Sequence, residues 1–246
     1  MTTPVLLIHG HPFDHTLWDP QAAALRAAGH QVFTPDLRGY GAGPPPGDVT
    51  LLSDFAADLA AVLDEQHADR AVVGGVSMGG QIAMEFFRLF PERVAGLILA
   101  DTSPLADTDE QREVRLRTAE RMLAEGMTWY ADDVRDKMIT PYHVTAKPDV
   151  DAHVRQMILG TAPAGAAAAL RGRARRPDYR STLATCRVPT LVLVGAEDVY
   201  TPVAQARLIH ELITGSELVV IDQAGHLPGL EQPEVVNDTL LKFLDQ

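Results

Sequence analysis

Short apolar runs alternate with longer stretches of helical periodicity through the first hundred residues. The apolar runs are typical of strands buried on both faces of a parallel sheet, and they are Val5 to Ile8, Gln31 to Thr34, Ala71 to Val73 and Val94 to Ala100. The periodic stretches predict helices, and they are Leu17 to Ala28, Leu51 to Gln66 and Gln81 to Phe90. This alternation predicts an α/β fold with right-handed crossovers and helices on both faces of a mostly parallel sheet.

The alternation stops between about Pro104 and Cys186, where only helical segments rich in Ala, Arg and Glu occur. They are roughly Thr108 to Glu125, Trp129 to Met138, Val150 to Leu159 and Ala164 to Ala174. The α/β pattern then resumes with strands at Thr190 to Gly195 and Leu218 to Ile221, each followed by a helical stretch. We therefore predict a core made of residues 1–103 and 187–246, with residues 104–186 inserted as a four-helix cap of the same domain.

The charge balance narrows the class of partner. A formal net charge of −12 repels phosphate backbones and anionic membranes, so we expect a small-molecule substrate rather than nucleic acid or a membrane. A lone cysteine, Cys186, excludes an internal disulfide and a multi-cysteine metal site. The N-terminal apolar run is too short for a signal peptide or a membrane span, which predicts a cytoplasmic protein. A homodimer is compatible with the sequence.

The stretch from Ala71 to Gly80 predicts a nucleophile elbow. An apolar strand ends at two glycines, Ser77 follows between Gly75 and Gly79, and a helical pattern comes next. The G-x-S-x-G pattern at a strand-to-helix turn needs small residues on either side of the serine, because the turn is strained. Ser77 is therefore the candidate nucleophile.

A candidate acid and base follow later strands. Asp198 comes just after the strand that ends at Gly195, and His226 follows the last strand. Because the carboxyl ends of parallel strands share one edge of the sheet, Ser77, Asp198 and His226 are predicted to meet there in the chain order of an α/β-hydrolase triad. Asp101, just past the strand Val94 to Ala100, is the alternative acid, although the Thr-Ser-Pro after it suggests a turn-capping role.

Four motifs together resemble the α/β-hydrolase superfamily. They are His9-Gly10-x-Pro12 with Trp18, Asp36-x-Arg38-Gly39-x-Gly41, Gly75-x-Ser77-Met78-Gly79-Gly80 and Pro189 to Asp198. Within the superfamily, the cap stretch Gly126 to Ala169, with Gly160-Thr161-Ala162-Pro163, resembles the 3-oxoadipate enol-lactonase and carboxylesterase group, and the Ser77-Met78 pattern resembles cofactor-free haloperoxidases. The resemblance implies that the backbone N–H groups of His11 and Met78 form the oxyanion hole and that no cofactor is needed. The antiparallel hairpin usual at the start of that fold is missing, so about six parallel strands are expected.

Two clusters carry alternative interpretations. His9, His11, Asp14 and His15 approximate a two-zinc ligand run with one residue too many, so we predict no metal, with His9 bonded to neighbouring backbone. The basic cluster from Arg171 to Arg176 is either a solvated surface or the source of one arginine that attracts a carboxylate-bearing substrate.

The predicted function is hydrolysis of a small carboxylic ester or lactone through an acyl-enzyme on Ser77. Some apolar residues are expected to line the substrate pocket, namely Trp18, Trp129, Tyr130 and Met157. The alternatives are a perhydrolase or haloperoxidase-like activity on the same triad, a non-catalytic ligand receptor on the hydrolase fold, and a metal-dependent lactonase.

Overall fold

Six parallel strands form one sheet in the computed structural model, which describes residues 3–245. In chain order they are β1 (Val5–Ile8), β2 (Val32–Phe33), β3 (Ala71–Val76), β4 (Val94–Ala100), β5 (Thr190–Gly195) and β6 (Glu217–Ile221). Their order across the sheet is β2-β1-β3-β4-β5-β6, and every neighbouring pair is parallel. The predicted sheet is confirmed. The strand order reverses between β1 and β3, and α/β proteins bind ligands at the carboxyl ends of such strands.

Two buried apolar clusters lie on opposite faces of the sheet. Val72 belongs to one and Val73 to the other, because successive strand side chains point to opposite faces. The helices that cover the faces are α1 (Asp19–Ala27) and α12 (Pro233–Leu244) on one side, and α2 (Leu52–Glu65), α3 (Met78–Leu89) and α10 (Val203–Leu212) on the other. Helix α3 begins at Met78 rather than at Gln81 as predicted, since packing overrides the low helix propensity of the two glycines between them.

The regular elements between β4 and β5 are all helices. They are α4 (Asp109–Glu125), α5 (Thr128–Met138), α6 (Pro141–Ala146), α7 (Pro148–Gly160), α8 (Pro163–Arg173) and α9 (Arg180–Ala184). The sequence predicted four helices here and missed the short α6 and α9. Pro141 and Pro148 are each the first residue of a helix, where the missing N–H costs no hydrogen bond.

One more short helix, α11 (Pro228–Glu231), follows β6 and precedes α12. Across residues 3–245, every helix is too short or too polar to cross a lipid bilayer.

Helix α8 packs backbone to backbone against the chain that follows β2. A Cβ atom on Gly165 would overlap the carbonyl group of Gly39, and one on Gly172 would overlap the carbonyl group of Thr50. The N–H of Thr50 also donates to the carbonyl oxygen of Ala168 at 3.1 Å. The four alanines between the two glycines are buried. These contacts fix the height of α8 above the sheet edge and the position of the side chains at its C-terminal end.

We expect Gly165→Ala to lower the free energy of unfolding by about 1–3 kcal/mol, because the new methyl group must displace the Gly39 backbone. Urea denaturation of the wild type and the variant measures this. Gly160→Ala is the matched control, since no atom lies within 4 Å of a Cβ there, and its stability should stay equal or rise by up to about 1 kcal/mol. Equal effects of the two substitutions would show that α8 does not need the close contact.

Candidate active site

Ser77 occupies the turn between β3 and α3 in a strained backbone conformation. Its φ is 57° and its ψ is −115°, and such a conformation costs about 1–3 kcal/mol for a residue other than glycine. Two hydrogen bonds hold it: Ser77 N–H donates to the carbonyl of Ala100 at 3.0 Å, and Thr102 Oγ1 donates to the Ser77 carbonyl at 2.7 Å. The strand next to β3 therefore fixes the turn.

The glycines around Ser77 are required by close backbone contacts. A Cβ atom on Gly75 would overlap the backbone of Gly79, and one on Gly79 would overlap the carbonyl group of Ile8 at the end of β1. The G-x-S-x-G pattern thus reflects a helix that starts in direct contact with two strands. This contact brings the N-terminus of α3 to the carboxyl edge of the sheet.

Asp198 and His226 form a buried hydrogen-bonded pair at the same edge. His226 Nδ1 lies 2.9 Å from Asp198 Oδ2. Asp198 also accepts bonds from the N–H of Tyr200 at 2.8 Å, and from the N–H and hydroxyl of Thr201 at 3.0 and 2.6 Å. Burial alone would raise the pKa of Asp198, but His226 and the Thr201 bonds hold it below its usual range. The ionised carboxylate keeps the proton of the ring on Nδ1 and leaves Nε2 as the free nitrogen.

Asp101, the alternative acid, lies beside this pair, but the hydrogen-bond partner of His226 is Asp198. Its Oδ1 accepts the N–H of Gly195 at 2.9 Å, and its Oδ2 is buried with no partner among the described residues. One carboxylate oxygen of Asp101, one of Asp198 and one ring nitrogen of His226 lie within 4.8 Å of one another. Burial and then the charge of Asp198 raise the pKa of Asp101 well above its usual range. Asp101 is therefore favoured as the neutral acid of the two.

The His11 side chain is buried in the loop after β1. Its Nδ1 lies 2.7 Å from the hydroxyl of Tyr40, and its ring packs at 6.0 Å against the ring of Tyr130. Burial, then the charges of Arg173 and Arg115, lower the pKa of His11 well below its usual range. The imidazole is therefore neutral, and the Tyr40 bond holds this loop in place.

Two stretches of backbone, the start of α3 and the loop after β1, come close to Ser77. Met78 is the first residue of α3, where N–H groups have no acceptor within the helix. The loop after β1 also passes close, since a Cβ atom on Gly10 would lie 3.4 Å from the Cβ of Ser77. His11 is the next residue along that loop.

A cavity of about 480 Å³ lies over this edge of the sheet, and Ser77, His226 and His11 contribute to its wall. Helices α4, α5 and α8 supply much of the rest. The hydroxyl of Ser77 and the ring of His226 share this cavity but are not hydrogen bonded to each other among the described residues. Tyr200 also lines it and packs its ring 5.1 Å from that of His226.

Of the four predicted pocket residues, Tyr130 lines this cavity. Trp18 lies instead on a separate apolar cavity of about 20 Å³. Trp129 is half-buried, with the guanidinium carbon of Arg121 3.8 Å from its ring centre. Met157 is 2% exposed and belongs to the apolar core. At these three positions the structure shows apolar packing and a stacking contact with Arg121 instead of a wall of this cavity.

Arg173 was singled out only as a member of a basic cluster. Arg173 is the last residue of α8, and Arg175 and Arg176 lie just after the helix; Arg173 and Arg176 are buried, while Arg175 is exposed. Both buried arginines line the cavity. The signal that could have identified Arg173 is its position on the same face of α8 as the buried alanines.

Glu231 was not predicted, yet it ties the His226 loop to the helices above it. Its Oε1 accepts the N–H of Gly225 at 2.6 Å, and its Oε2 accepts both the N–H and the hydroxyl of Thr140, at 2.8 and 2.7 Å. Its Oε2 also lies 2.9 Å from His143 Nδ1. Glu231 thereby fixes the residue before His226.

His9, the first residue of the zinc-like run, has both ring nitrogens engaged by the backbone. Nδ1 donates to the carbonyl of Gly10 at 2.9 Å, so Nε2 accepts the N–H of Leu37 at 3.0 Å. Burial lowers the pKa of His9 to about 4. These bonds leave neither nitrogen of the neutral ring for a metal ion, which argues against the two-zinc interpretation.

A family model described as the alpha/beta hydrolase fold matches residues 3–233, most of the chain. The chain belongs to the α/β-hydrolase fold family.

Three solved structures place this hydrolase among its relatives. An esterase from Thermogutta terrifontis, solved with malate bound, is 40% identical with a TM-score of 0.96, over 100% of this chain and 90% of that chain. An enol-lactonase from Burkholderia xenovorans LB400 is 26% identical with a TM-score of 0.90, over 100% and 93%. A bromoperoxidase from Bacillus anthracis is 23% identical with a TM-score of 0.88, over 100% and 93%, which shows a shared fold. The resemblance to this group is confirmed.

We expect Asp101→Asn to gain stability relative to the wild type as the pH rises above about 4, the ordinary pKa of aspartate. The unfolded wild type ionises there while the folded protein keeps the proton, so Asp101 lowers stability by up to about 1.4 kcal/mol per pH unit until its folded pKa is reached. Urea unfolding between pH 5 and 8 measures the difference. The exposed Asp222→Asn is the control, and a pH-independent difference for Asp101→Asn would contradict the neutral acid.

Proposed function

We propose that the chain is a serine hydrolase that cleaves a small carboxylic ester or lactone. The observation that carries the proposal is the 2.9 Å hydrogen bond between His226 and Asp198, made beside the cavity that Ser77 also lines. A serine in a strained turn, a histidine and a buried carboxylate are the parts of a hydrolytic triad, and their chain order is that of the α/β-hydrolases.

In the acylation step, Ser77 Oγ attacks the substrate carbonyl carbon while His226 Nε2 takes the hydroxyl proton. Nucleophile and base often draw together only when substrate binds. Asp198 stabilises the imidazolium, and its low pKa keeps it ionised for that role. The carbonyl oxygen becomes an oxyanion that accepts the N–H groups of Met78 and His11. The tetrahedral intermediate then expels the alcohol group, which takes its proton from His226.

In the deacylation step, a water molecule gives its proton to His226 Nε2 and attacks the acyl carbon. Ser77 leaves with the proton from His226, and the carboxylic acid is released. A lactone yields a hydroxy acid as one molecule, because its alcohol group stays attached to its acyl group. Each proton moves among Ser77, His226, water and the leaving alcohol group, and the proposal includes no cofactor.

The relatives support this reaction class. Two of them are named as an esterase and an enol-lactonase, and both names describe cleavage of a carboxylic ester bond. The esterase was solved with malate, a small hydroxy acid. We also propose that residues 104–186 act as the cap of this site, since α4, α5 and α8 contribute to the wall of the cavity opposite the sheet edge.

We expect Ser77→Ala to abolish ester and lactone hydrolysis and to keep the fold. Asp198→Asn should lower kcat by about 10⁴-fold, because the carboxylate that holds the imidazolium is lost. Asp101→Asn should change kcat by less than about tenfold, since His226 bonds to Asp198. A panel of short and long acyl esters, aliphatic lactones and an enol-lactone, run with circular dichroism spectra of each variant, measures these effects.

The same panel separates the alternatives. Full activity of Ser77→Ala would overturn the proposal, and loss of that activity to a chelator would favour a metal-dependent lactonase. Peracid formation from acetate and hydrogen peroxide would reveal perhydrolysis on the same triad. Tight binding of an unhydrolysed ligand, with no labelling of Ser77 by a serine-directed probe, would favour a receptor.

A further inference from the structure

Arg173 is a buried cation inside the cavity that holds Ser77 and His226. It lies at the C-terminal end of α8 and is 8% exposed. Its Nε donates to Gln81 Oε1 at 3.1 Å. Gln81 belongs to α3, one turn beyond the nucleophile. The guanidinium therefore lies over the same part of the sheet edge as the reacting groups.

The neighbouring cations of the cavity are already paired. Asp107 binds Arg115 through Oδ2 at 2.5 Å and Arg176 through Oδ1 at 2.8 Å, so both of its oxygens are engaged. Lys137 lies 3.1 Å from Asp133 Oδ2. Four cations and two carboxylates thus line the cavity of a chain whose net charge is −12. Arg173 is the cation that has no carboxylate partner among the described residues.

A buried guanidinium without an anion is costly, because it has lost water and gained no opposite charge. Burial, then the charges of Arg115 and Arg176, lower the pKa of Arg173 well below its usual range. The guanidinium nevertheless stays charged, as arginine does in proteins. An anion that enters the cavity would therefore gain a desolvated partner, and the planar fork of the guanidinium matches a carboxylate in particular.

We propose that Arg173 binds a free carboxylate of the substrate, so that the hydrolase acts on esters or lactones that carry a second, unesterified carboxyl group. This inference rests on the proposed function of Ser77. The carboxylate would pair with the guanidinium while the ester carbonyl lies at Ser77 Oγ. The cavity volume of about 480 Å³ suits a small dicarboxylic acid derivative.

The test compares anionic esters with neutral esters of similar shape, with the charge on either side of the ester bond. Monomethyl adipate carries the charge on the acyl side, and methyl heptanoate is its neutral counterpart. 4-Acetoxybutanoate carries the charge on the alcohol side, and pentyl acetate is its neutral counterpart. Acid release is followed at constant pH for the wild type, Arg173→Gln and Arg173→Lys. Arg175→Gln is the matched control, because it removes the same charge from an exposed position two residues away.

We expect the wild type to prefer the anionic member of at least one pair by about tenfold or more in kcat/KM. Arg173→Gln should remove that preference, mainly through KM, and Arg173→Lys should restore part of it. Arg175→Gln should leave both rates unchanged. The melting temperature of Arg173→Gln should stay equal or rise, whereas a merely structural arginine would lower it and reduce both rates together.

Binding without turnover gives an independent measurement. Calorimetry of Ser77→Ala with monomethyl adipate should show binding that the double variant Ser77→Ala/Arg173→Gln loses. Equally tight binding of inorganic phosphate would overturn the choice of a carboxylate in favour of a general anion site. Neutral esters cleaved with no anionic preference would overturn the inference and leave the proposed function intact. No hydrolysis of any ester by the wild type would contradict the proposed function itself.

Discussion

The contact between the start of α3 and the ends of β1 and β3 is the constraint on which the candidate site depends. It leaves no room for side chains at Gly75 and Gly79, and it holds Ser77 at a φ that L-residues rarely adopt. Hydrogen bonds from Ser77 to Ala100 and from Thr102 to Ser77 complete the restraint. Three neighbouring strands thereby determine where one hydroxyl group lies, so the position of the nucleophile is a property of the sheet.

Two aspartates a few ångströms apart reach opposite protonation preferences because they receive different numbers of hydrogen bonds. Asp198 accepts two N–H groups and a hydroxyl and pairs with His226, whereas Asp101 accepts the single N–H of Gly195. Bonds to the charged form stabilise it, and burial with too few bonds favours the neutral acid. The loop after β5, rather than the burial of the site as a whole, selects the carboxylate that stays ionised.

The sequence predicted the parallel sheet of about six strands and the location of Ser77, Asp198 and His226 after three of them, because these features are set by local patterns: apolar runs, glycine turns and polar residues at strand ends. The roles of the residues above the sheet were harder to predict from the sequence. Trp129 and Arg173 both lie in helices whose periodicity marks buried positions but not the neighbour that buries them. That neighbour is decided by how the helices pack on one another, which is a long-range property. Glu231 was missed for the same reason, since its partners are up to 91 residues away.

The backbone contact of α8 with Gly39 and Thr50 limits how the substrate specificity of this hydrolase can change. Where two main chains are in direct contact, a smaller side chain cannot create more space between them. The roof of the cavity is therefore rigid along α8 and adjustable along α4 and α5, whose longer residues Val114, Tyr130 and Met138 reach into it. A change in substrate size would come from substitutions in those two helices, while α8 keeps the guanidinium of Arg173 at its C-terminal end in a constant place.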